Sequence, residues 1–413
     1  MLQPIQHIKR PVYNTAQTYR PVNRLLAFAG AQDRYQPQQS GQRLMIVSET
    51  WNQINGVSTT IDNLVKQLKQ RDYTVEVLHP ALFPTIPTNY PDMRISNPFG
   101  LKKRVAQKIE AFKPERIFIL TEGPLGWATK NYCQQKGLPY TTSYSVKWDD
   151  YFKKHFHLPR NAAFKWLKGF HEKATAVLVI TPSLLQDLGS RGFKNLVLWR
   201  QAIDTDRFNL MSETARQQFV DQHGLAKYKR PFYLYVGRVS SEKNIKSFLN
   251  AELPGTKLVV GPEGAGYSLE KLRRQYPDVI FTGPKYGQEL ANYYGASDVF
   301  MFPSKSDTLG LVMLEALASG LPVVGFNVMG PKDVIGPDSK IGFLASNNQD
   351  LQDKALLAWK SLQTGAISRE ECRKAVVSYS WPQCISTLLE NLKVHLWPEK
   401  TPSSAEPEPE PLM

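Results

Sequence analysis

The sequence predicts an α/β protein built from two Rossmann-like, doubly wound parallel sheets that face each other across a cleft. Three observations lead there. The chain has 413 residues, more than one hydrophobic core comfortably serves, so two domains are expected. Short β-branched or aromatic runs alternate with helical patterns along most of its length, as in sheets covered on both faces. The alternation pauses in a polar, mixed stretch near 200–228 and then starts again.

In the first half RLMIVSE, from Arg43, reads as a strand, followed by a loop with Asn55 and Gly56 and a helix through LVKQLKQ. TVEVLHP, RIFILTE, PYTTSY and AVLVITP follow as strands. KKRVAQKIEAF and LGWATKNYCQQKG read as helices, with another near 160–175. In the second half the strands are PFYLYVGR, TKLVVGP, VIFTGP, VFMFP and LPVVGF, with helices near 244–250, 266–275, 287–296 and 311–318. Residues 1–42 form a polar, basic arm expected to be disordered, and the Pro/Glu-rich 398–413 a solvated tail. The domains are therefore 43–205 and 206–380, with a last helix in 381–397.

A 42% hydrophobic content with 11% aromatics excludes wholesale disorder. No apolar run approaches the roughly 20 residues that span a bilayer. LLAFAGA after Arg24 is too short and too far into the chain for a signal peptide. Cys133, Cys372 and Cys384 have no paired spacing, which fits a reducing, cytoplasmic setting and neither a zinc site nor a disulfide framework. The net charge of +14 lies wholly in residues 1–210, with 29 Lys and Arg against 15 Asp and Glu; the remainder holds 22 of each. Such a half suggests an anionic partner: a membrane surface, a nucleic acid or a phosphorylated substrate. Charge alone does not choose among them, nor against a plain basic surface.

Ligands of doubly wound sheets sit at the carboxyl ends of the strands, so the loops there carry the chemistry. After FYLYV comes Gly237, then Arg238, with Lys243 five residues on; two cations at a strand mouth suit a diphosphate, or are ordinary surface charges. GPEGAG after LVV either lets backbone approach a flat ligand or is a turn. After VFMFP, Asp307 and Thr308 are N-cap types before the helix LGLVMLEALAS. Gly310 near that N-terminus leaves the first amides open to an anion. Glu315 lies in an apolar run, where a buried carboxylate needs donors such as ligand hydroxyls. The bland alternative is an N-cap aspartate and a surface glutamate.

VGRVSSEKN, PSKSDTLGLVMLEALASGLPVV and SYSWPQC, in that order and preceded by INGVSTTIDNLVKQL, together resemble the retaining GT-B glycosyltransferases of the glycosyl transferases group 1 (family 4) type. The resemblance spans about 43–396, is most specific in the second half, and within the group is closest to lipid mannosyl- and sulfoquinovosyltransferase-like members. It implies a hexosyltransferase that moves a hexose from a UDP- or GDP-linked sugar to an acceptor hydroxyl, on a lipid or glycan. Arg238 and Lys243 would bind the donor diphosphate. Asp307 would face the donor sugar hydroxyls where many members carry Glu, making these three the catalytic set. Backbone amides of Leu309, Gly310 and Leu311 would reach phosphate or sugar, and Glu315 would accept from the ribose. Gly56 would admit the diphosphate from the opposite wall, next to Gly237 on the donor side. The helix from Trp381 would cross back to the first domain.

The sequence departs from the group on the acceptor side. Ser145 stands where relatives usually carry histidine, and Arg200-Gln201-Ala202-Ile203-Asp204 replaces the usual S-R-G-V-D. Serine can hydrogen-bond a hydroxyl but cannot shuttle a proton at neutral pH as histidine does. A catalytically weakened or inactive nucleotide-sugar-binding protein is therefore the alternative. Asp204-Thr205-Asp206 and Asp149-Asp150 are formal metal motifs, yet no metal or other cofactor is expected, since Arg and Lys take over leaving-group stabilisation in this group. Residues 164–174 place Phe164, Trp166, Leu167, Phe170 and Ala174 on one helical arc and Lys165, Lys168 and Lys173 on the other. With Phe152, Lys153, Lys154 and Phe156 upstream, this is either a core-facing helix or a helix for an anionic membrane surface. Nucleic acid ranks last as a partner, because the basic arm lacks interleaved aromatics.

Overall fold

The computed structural model describes residues 42–51, 56–87, 94–145, 160–336 and 339–397. The basic arm up to residue 41, Asn55, Asp149 and Asp150, the aromatic and basic residues of 152–156, and the Pro/Glu tail lie outside them. The first half runs β1 (Arg43–Val47), α1 (Gly56–Lys69), β2 (Thr74–Leu78), β3 (Thr85–Pro87), β4 (Arg94–Ser96), α2 (Leu101–Phe112) and β5 (Arg116–Ile119). It continues through α3 (Pro124–Lys136), β6 (Thr141–Tyr144), α4 (Arg160–His171), β7 (Val177–Val179), α5 (Pro182–Ser190) and β8 (Leu196–Leu198). The sheet order is β2-β1-β5-β6-β7-β8, with every pairing parallel. β3 and β4 form a separate antiparallel ribbon.

The second half starts with α6 (Glu213–Gln222), β9 (Phe232–Val236), α7 (Ile245–Leu249), β10 (Thr256–Val260), α8 (Leu269–Gln275), β11 (Val279–Gly283) and α9 (Gly287–Ala296). After β12 (Val299–Phe302) come α10 (Leu311–Ala318), β13 (Val323–Phe326), α11 (Pro331–Ile335), β14 (Gly342–Ala345), α12 (Asn348–Gln363), α13 (Arg369–Lys374) and α14 (Trp381–Glu390). Its sheet order, β11-β10-β9-β12-β13-β14, is again all parallel. Every residue of β9, β12 and β13 is buried, because helices cover both faces of the sheet.

The stretch 200–228 differs from the linker expected there. It contains α6, capped by the Ser212 hydroxyl accepting from the Ala215 amide at 3.3 Å. This helix buries chiefly Phe219 and Val220, so its apolar stripe is too thin to stand out in sequence. The edge strands β8 and β14 were also not apparent, being short and only partly buried. In α4, Phe164, Leu167 and Phe170 are core, as is Ala174 just beyond it. Trp166 departs from the expected arc: at 100° per residue it falls on the arc's edge, is 40% exposed, and packs on Trp127 with ring centroids 5.2 Å apart.

At the amino ends of the second sheet one carboxylate gathers three elements. Asp298, just before β12, accepts from the Phe232 amide at 2.8 Å. It is ringed by Arg216 of α6 at 2.8 Å, Arg230 at 2.8 Å and Arg369 of α13 at 3.3 Å. Burial, with Arg216 and Arg230 alongside, pushes Arg369 down to about 10. After α13 the chain returns to the first domain. The Trp199 indole donates to the Cys384 carbonyl at 3.0 Å, Arg116 donates to the Leu392 carbonyl at 2.5 Å, and the Trp397 indole donates to the Pro114 carbonyl at 2.8 Å.

Removing the hub leaves three guanidinium groups without their buried counter-charge. Asp298→Ala is expected to destabilise the chain by about 3–5 kcal/mol, with a smaller loss for Asp298→Asn, both read from urea unfolding followed by circular dichroism.

Candidate active site

β9 and β12 pair side by side, with Tyr233 opposite Val299 and Leu234 opposite Phe300, although two strands and three helices lie between them in chain order. The loop after β9 carries Gly237, Arg238 and a 3-10 turn at Ser241–Lys243; the loop after β12 carries Asp307. Three contacts zip them together. The Asn244 side-chain Nδ2 donates to the Pro303 carbonyl at 3.1 Å, the Ser306 hydroxyl to the Glu242 carbonyl at 3.3 Å, and Lys243 Nζ to Asp307 Oδ1 at 2.5 Å. Lys243 and Asp307 are 24% and 22% exposed, and Asp307 Oδ2 is buried without a hydrogen-bond partner among the described residues. Arg238, more open, pairs with Glu242 at 2.6 Å. The Tyr235 phenol pins the Arg238 carbonyl at 2.7 Å.

The GPEGAG loop packs on the loop that follows β9. Val239 donates to the Pro262 carbonyl at 2.9 Å and Gly264 to the Val239 carbonyl at 3.1 Å. A Cβ at Gly261 would fall 1.9 Å from the Gly237 carbonyl oxygen. The glycines let one loop lie on the next.

α10 begins at Leu311 with Gly310 as its N-cap at φ 82°, a left-handed conformation, and no side chain caps that end. The peptide units of Leu309, Gly310 and Leu311 thus form the start of a helix whose first amides lack a side-chain acceptor. Glu315 lies a turn inside. Burial pushes its carboxyl up to about 7, and the Tyr294 phenol of α9 donates to Oε2 at 2.9 Å. Tyr294 comes from another helix, and nothing in the spacing around Glu315 signals it.

The opposite wall belongs to the first sheet, whose winding reverses between β1 and β5. Gly56 opens α1; a Cβ there would meet nothing within 4 Å among the described residues, so packing against them does not require glycine. Ser145 leaves β6 half-buried. Arg200 is exposed after β8 and donates to the Tyr379 phenol, a group that burial raises. Asp204 turns inward to its own loop, accepting from the Arg207 amide at 3.1 Å and pairing with its guanidinium at 3.2 Å. Glu49, at the end of β1, was not singled out in the sequence. Buried and raised by desolvation, it caps α3 through the Leu125 amide at 2.5 Å and takes the Ser96 amide at 3.1 Å.

The structure therefore unites Arg238, Lys243 and Asp307, with Gly310 and Glu315 on the helix behind them. It puts Gly56, Ser145 and Arg200 on the first-domain side.

Comparison with known proteins agrees with this division. Residues 217–376 match the family "Glycosyl transferases group 1", and residues 54–207 match "Glycosyltransferase Family 4". The chain is 26% identical over 372 residues to a GDP-mannose-dependent alpha-mannosyltransferase of Mycobacterium tuberculosis, covering 84% of this chain and 96% of that protein. It is 30% identical over 305 residues to the sulfoquinovosyl transferase SQD2 of Arabidopsis thaliana, covering 68% of this chain and 57% of that longer protein. Among solved structures, a sucrose-phosphate synthase from Thermosynechococcus elongatus superposes with a TM-score of 0.69 at 20% identity, covering 84% of this chain and 98% of the other. Anabaena HepE in complex with UDP and glucose superposes with a TM-score of 0.66 at 15% identity over the same shares. With both halves matched in order and two parallel-sheet domains in place, the chain belongs to the group 1 and family 4 glycosyltransferases and has their GT-B fold.

Proposed function

We propose that the chain transfers a hexose from a nucleoside-diphosphate sugar to a hydroxyl of a lipid or glycan acceptor, with retention of anomeric configuration and without a metal ion. The observation that carries this reading is the Lys243–Asp307 pair, held at the mouth of two adjacent strands beside Arg238. Both cations are paired only to partly exposed carboxylates, and such pairs are weak. A diphosphate takes Lys243 from Asp307 and Arg238 from Glu242, and the freed Asp307 accepts from donor-sugar hydroxyls. Amides of Leu309, Gly310 and Leu311 receive phosphate or sugar oxygens, Gly237 and Gly56 leave room on either side, and Glu315 accepts from the ribose while Tyr294 holds its other oxygen.

In this reading no side chain acts as a nucleophile. The bond from the anomeric carbon to the β-phosphate oxygen breaks, the bond to the acceptor oxygen forms on the same face, and the acceptor proton passes to the departing phosphate. Arg238 and Lys243 stabilise the charge that develops on that phosphate, the task a metal performs elsewhere. Ser145 and Arg200 stand on the acceptor side, as hydrogen-bond donors without a proton-shuttling role. The GDP-mannose-dependent mannosyltransferase and the sulfoquinovosyl transferase among the relatives favour GDP-mannose and sulfoquinovosyl donors, whereas HepE structures hold UDP or UDP-glucose.

Incubation with UDP- and GDP-sugars and a panel of glycolipid and glycan acceptors tests the proposal. Transfer is expected to persist in EDTA, and an α-linked donor to yield an α-linked product by the anomeric proton coupling. Tight nucleotide binding without turnover on any acceptor would mark a binding protein instead. Lys243→Ala is expected to lower kcat/KM by about 10²–10³-fold with unchanged thermal stability.

Glu315 supplies a pH test. Its folded value near 7 lies above the ordinary 4.5, so the folded ligand-free chain holds a proton that the unfolded chain releases. Its contribution to stability is present below about 4.5 and is lost as pH rises through 7. A ribose that donates to the ionised carboxylate binds better as that proton leaves. UDP or GDP affinity should therefore climb from pH 5.5 to 7.5 more steeply in the wild type than in Glu315→Gln, measured by calorimetry.

We also propose that the protein works on the cytoplasmic face of an anionic membrane. Support comes from the exposed Trp166 on Trp127, with Lys130 over the Trp127 ring at 4.3 Å and Lys165 and Lys173 exposed nearby. Co-sedimentation with phosphatidylglycerol vesicles is expected at low salt, weakened by Trp166→Ala and abolished near about 0.5 M NaCl. Equal binding to neutral vesicles would overturn it.

A further inference from the structure

The segment between β13 and β14 touches both walls of the cleft. On the donor side Gly330, at φ 91°, lies against the loop that carries Asp307: a Cβ there would stand 2.8 Å from the Asp307 carbonyl oxygen and 3.4 Å from those of Thr308 and Leu309. On the other side Met329 packs against the first-domain core. Three residues after Gly330, Asp333 Oδ1 accepts from the Ser183 amide at 3.0 Å, a bond between residues 150 apart in sequence.

Ser183 is in the first turn of α5, where helical amides have no partner of their own. The Thr181 hydroxyl takes the Leu184 amide at 3.3 Å, and the other domain takes the Ser183 amide. A carboxylate suits this end of a nine-residue helix, where the amide dipoles converge. Asp333 Oδ2 is buried with no hydrogen-bond partner among the described residues. An unsatisfied buried acceptor is costly, so the carboxylate sits there because the Ser183 contact and the packing of the segment hold it. Its charge also reaches Tyr379, the phenol that carries Arg200.

We infer that Asp333 is a positioning residue that clamps the first-domain helix α5 to the donor loop through Met329 and Gly330, so that a ligand engaging Asp307 also sets the acceptor wall. The inference deepens the transferase reading, and its test needs no turnover. Nothing in the sequence around Pro331-Lys332-Asp333 announces it, since its partner lies in the other half of the chain.

Amide hydrogen exchange on the full chain tests it, with wild type, Asp333→Ala and Asp333→Asn, each alone and with UDP or GDP. Asp333→Ala should speed exchange in the first turn of α5 about tenfold and leave α10 unchanged. Asp333→Asn should restore most of the protection, because its amide oxygen accepts the same bond. Nucleotide should slow exchange in both α10 and α5 in the wild type, but only in α10 in Asp333→Ala. Unaltered α5 exchange in Asp333→Ala, or equal nucleotide protection of α5 in that variant, overturns the inference. If the alanine variant loosens the domain as a whole, Asp333→Asn decides: α5 protection kept supports the clamp, and protection lost refutes it. Absence of any nucleotide effect in the wild type, with α5 still loosened by Asp333→Ala, refutes the donor reading and keeps the clamp.

Discussion

The pairing of β9 with β12 is the constraint on which the site depends. From that pair the second sheet winds outward in both directions, to β10 and β11 on one side and to β13 and β14 on the other. Connections of one hand then carry helices to opposite faces, and the loops leaving the two central strands part to open a crevice. Lys243 and Asp307 meet because they sit on those two loops. The Asn244–Pro303 and Ser306–Glu242 hydrogen bonds keep the loops at one spacing.

The two ends of this sheet use charge in opposite ways. At the amino ends Asp298 is almost fully buried beneath Arg216, Arg230 and Arg369, and its oxygens also take the Phe232 amide. Taking away one member of such a cluster leaves uncompensated charge in a poorly solvated place, so the arrangement is rigid. At the carboxyl ends Arg238–Glu242 and Lys243–Asp307 remain open to solvent, where screening makes each pair weak and exchangeable. One end holds the domain together, and the other can trade partners with an anionic ligand.

Much of the fold was legible because it rests on local periodicity. The helices at 287–296 and 311–318 coincide with α9 and α10, and the ten strands expected from apolar runs are present. Three of the unexpected elements share a cause. β8 and β14 lie at sheet edges, where partial burial weakens the apolar signal, and α6 buries so little of its surface that its residues read as a linker. Trp166 shows the converse: placed on the apolar arc of its helix, it lies at that arc's edge, partly exposed, and packs on Trp127.

By itself the sequence determined the alternation of strands and helices, the restart that makes two domains, and the loops in which Arg238, Lys243, Asp307 and Glu315 reside. These follow from side-chain period and from position relative to a strand end, both readable within a few residues. Tertiary structure alone decided the partners: Asp307 for Lys243, Tyr294 for Glu315, Tyr379 for Arg200, and Ser183 for Asp333. It also decided which glycines of GPEGAG pack loop on loop. Such contacts join groups 21 to 179 residues apart, and their strength depends on burial that no local pattern encodes.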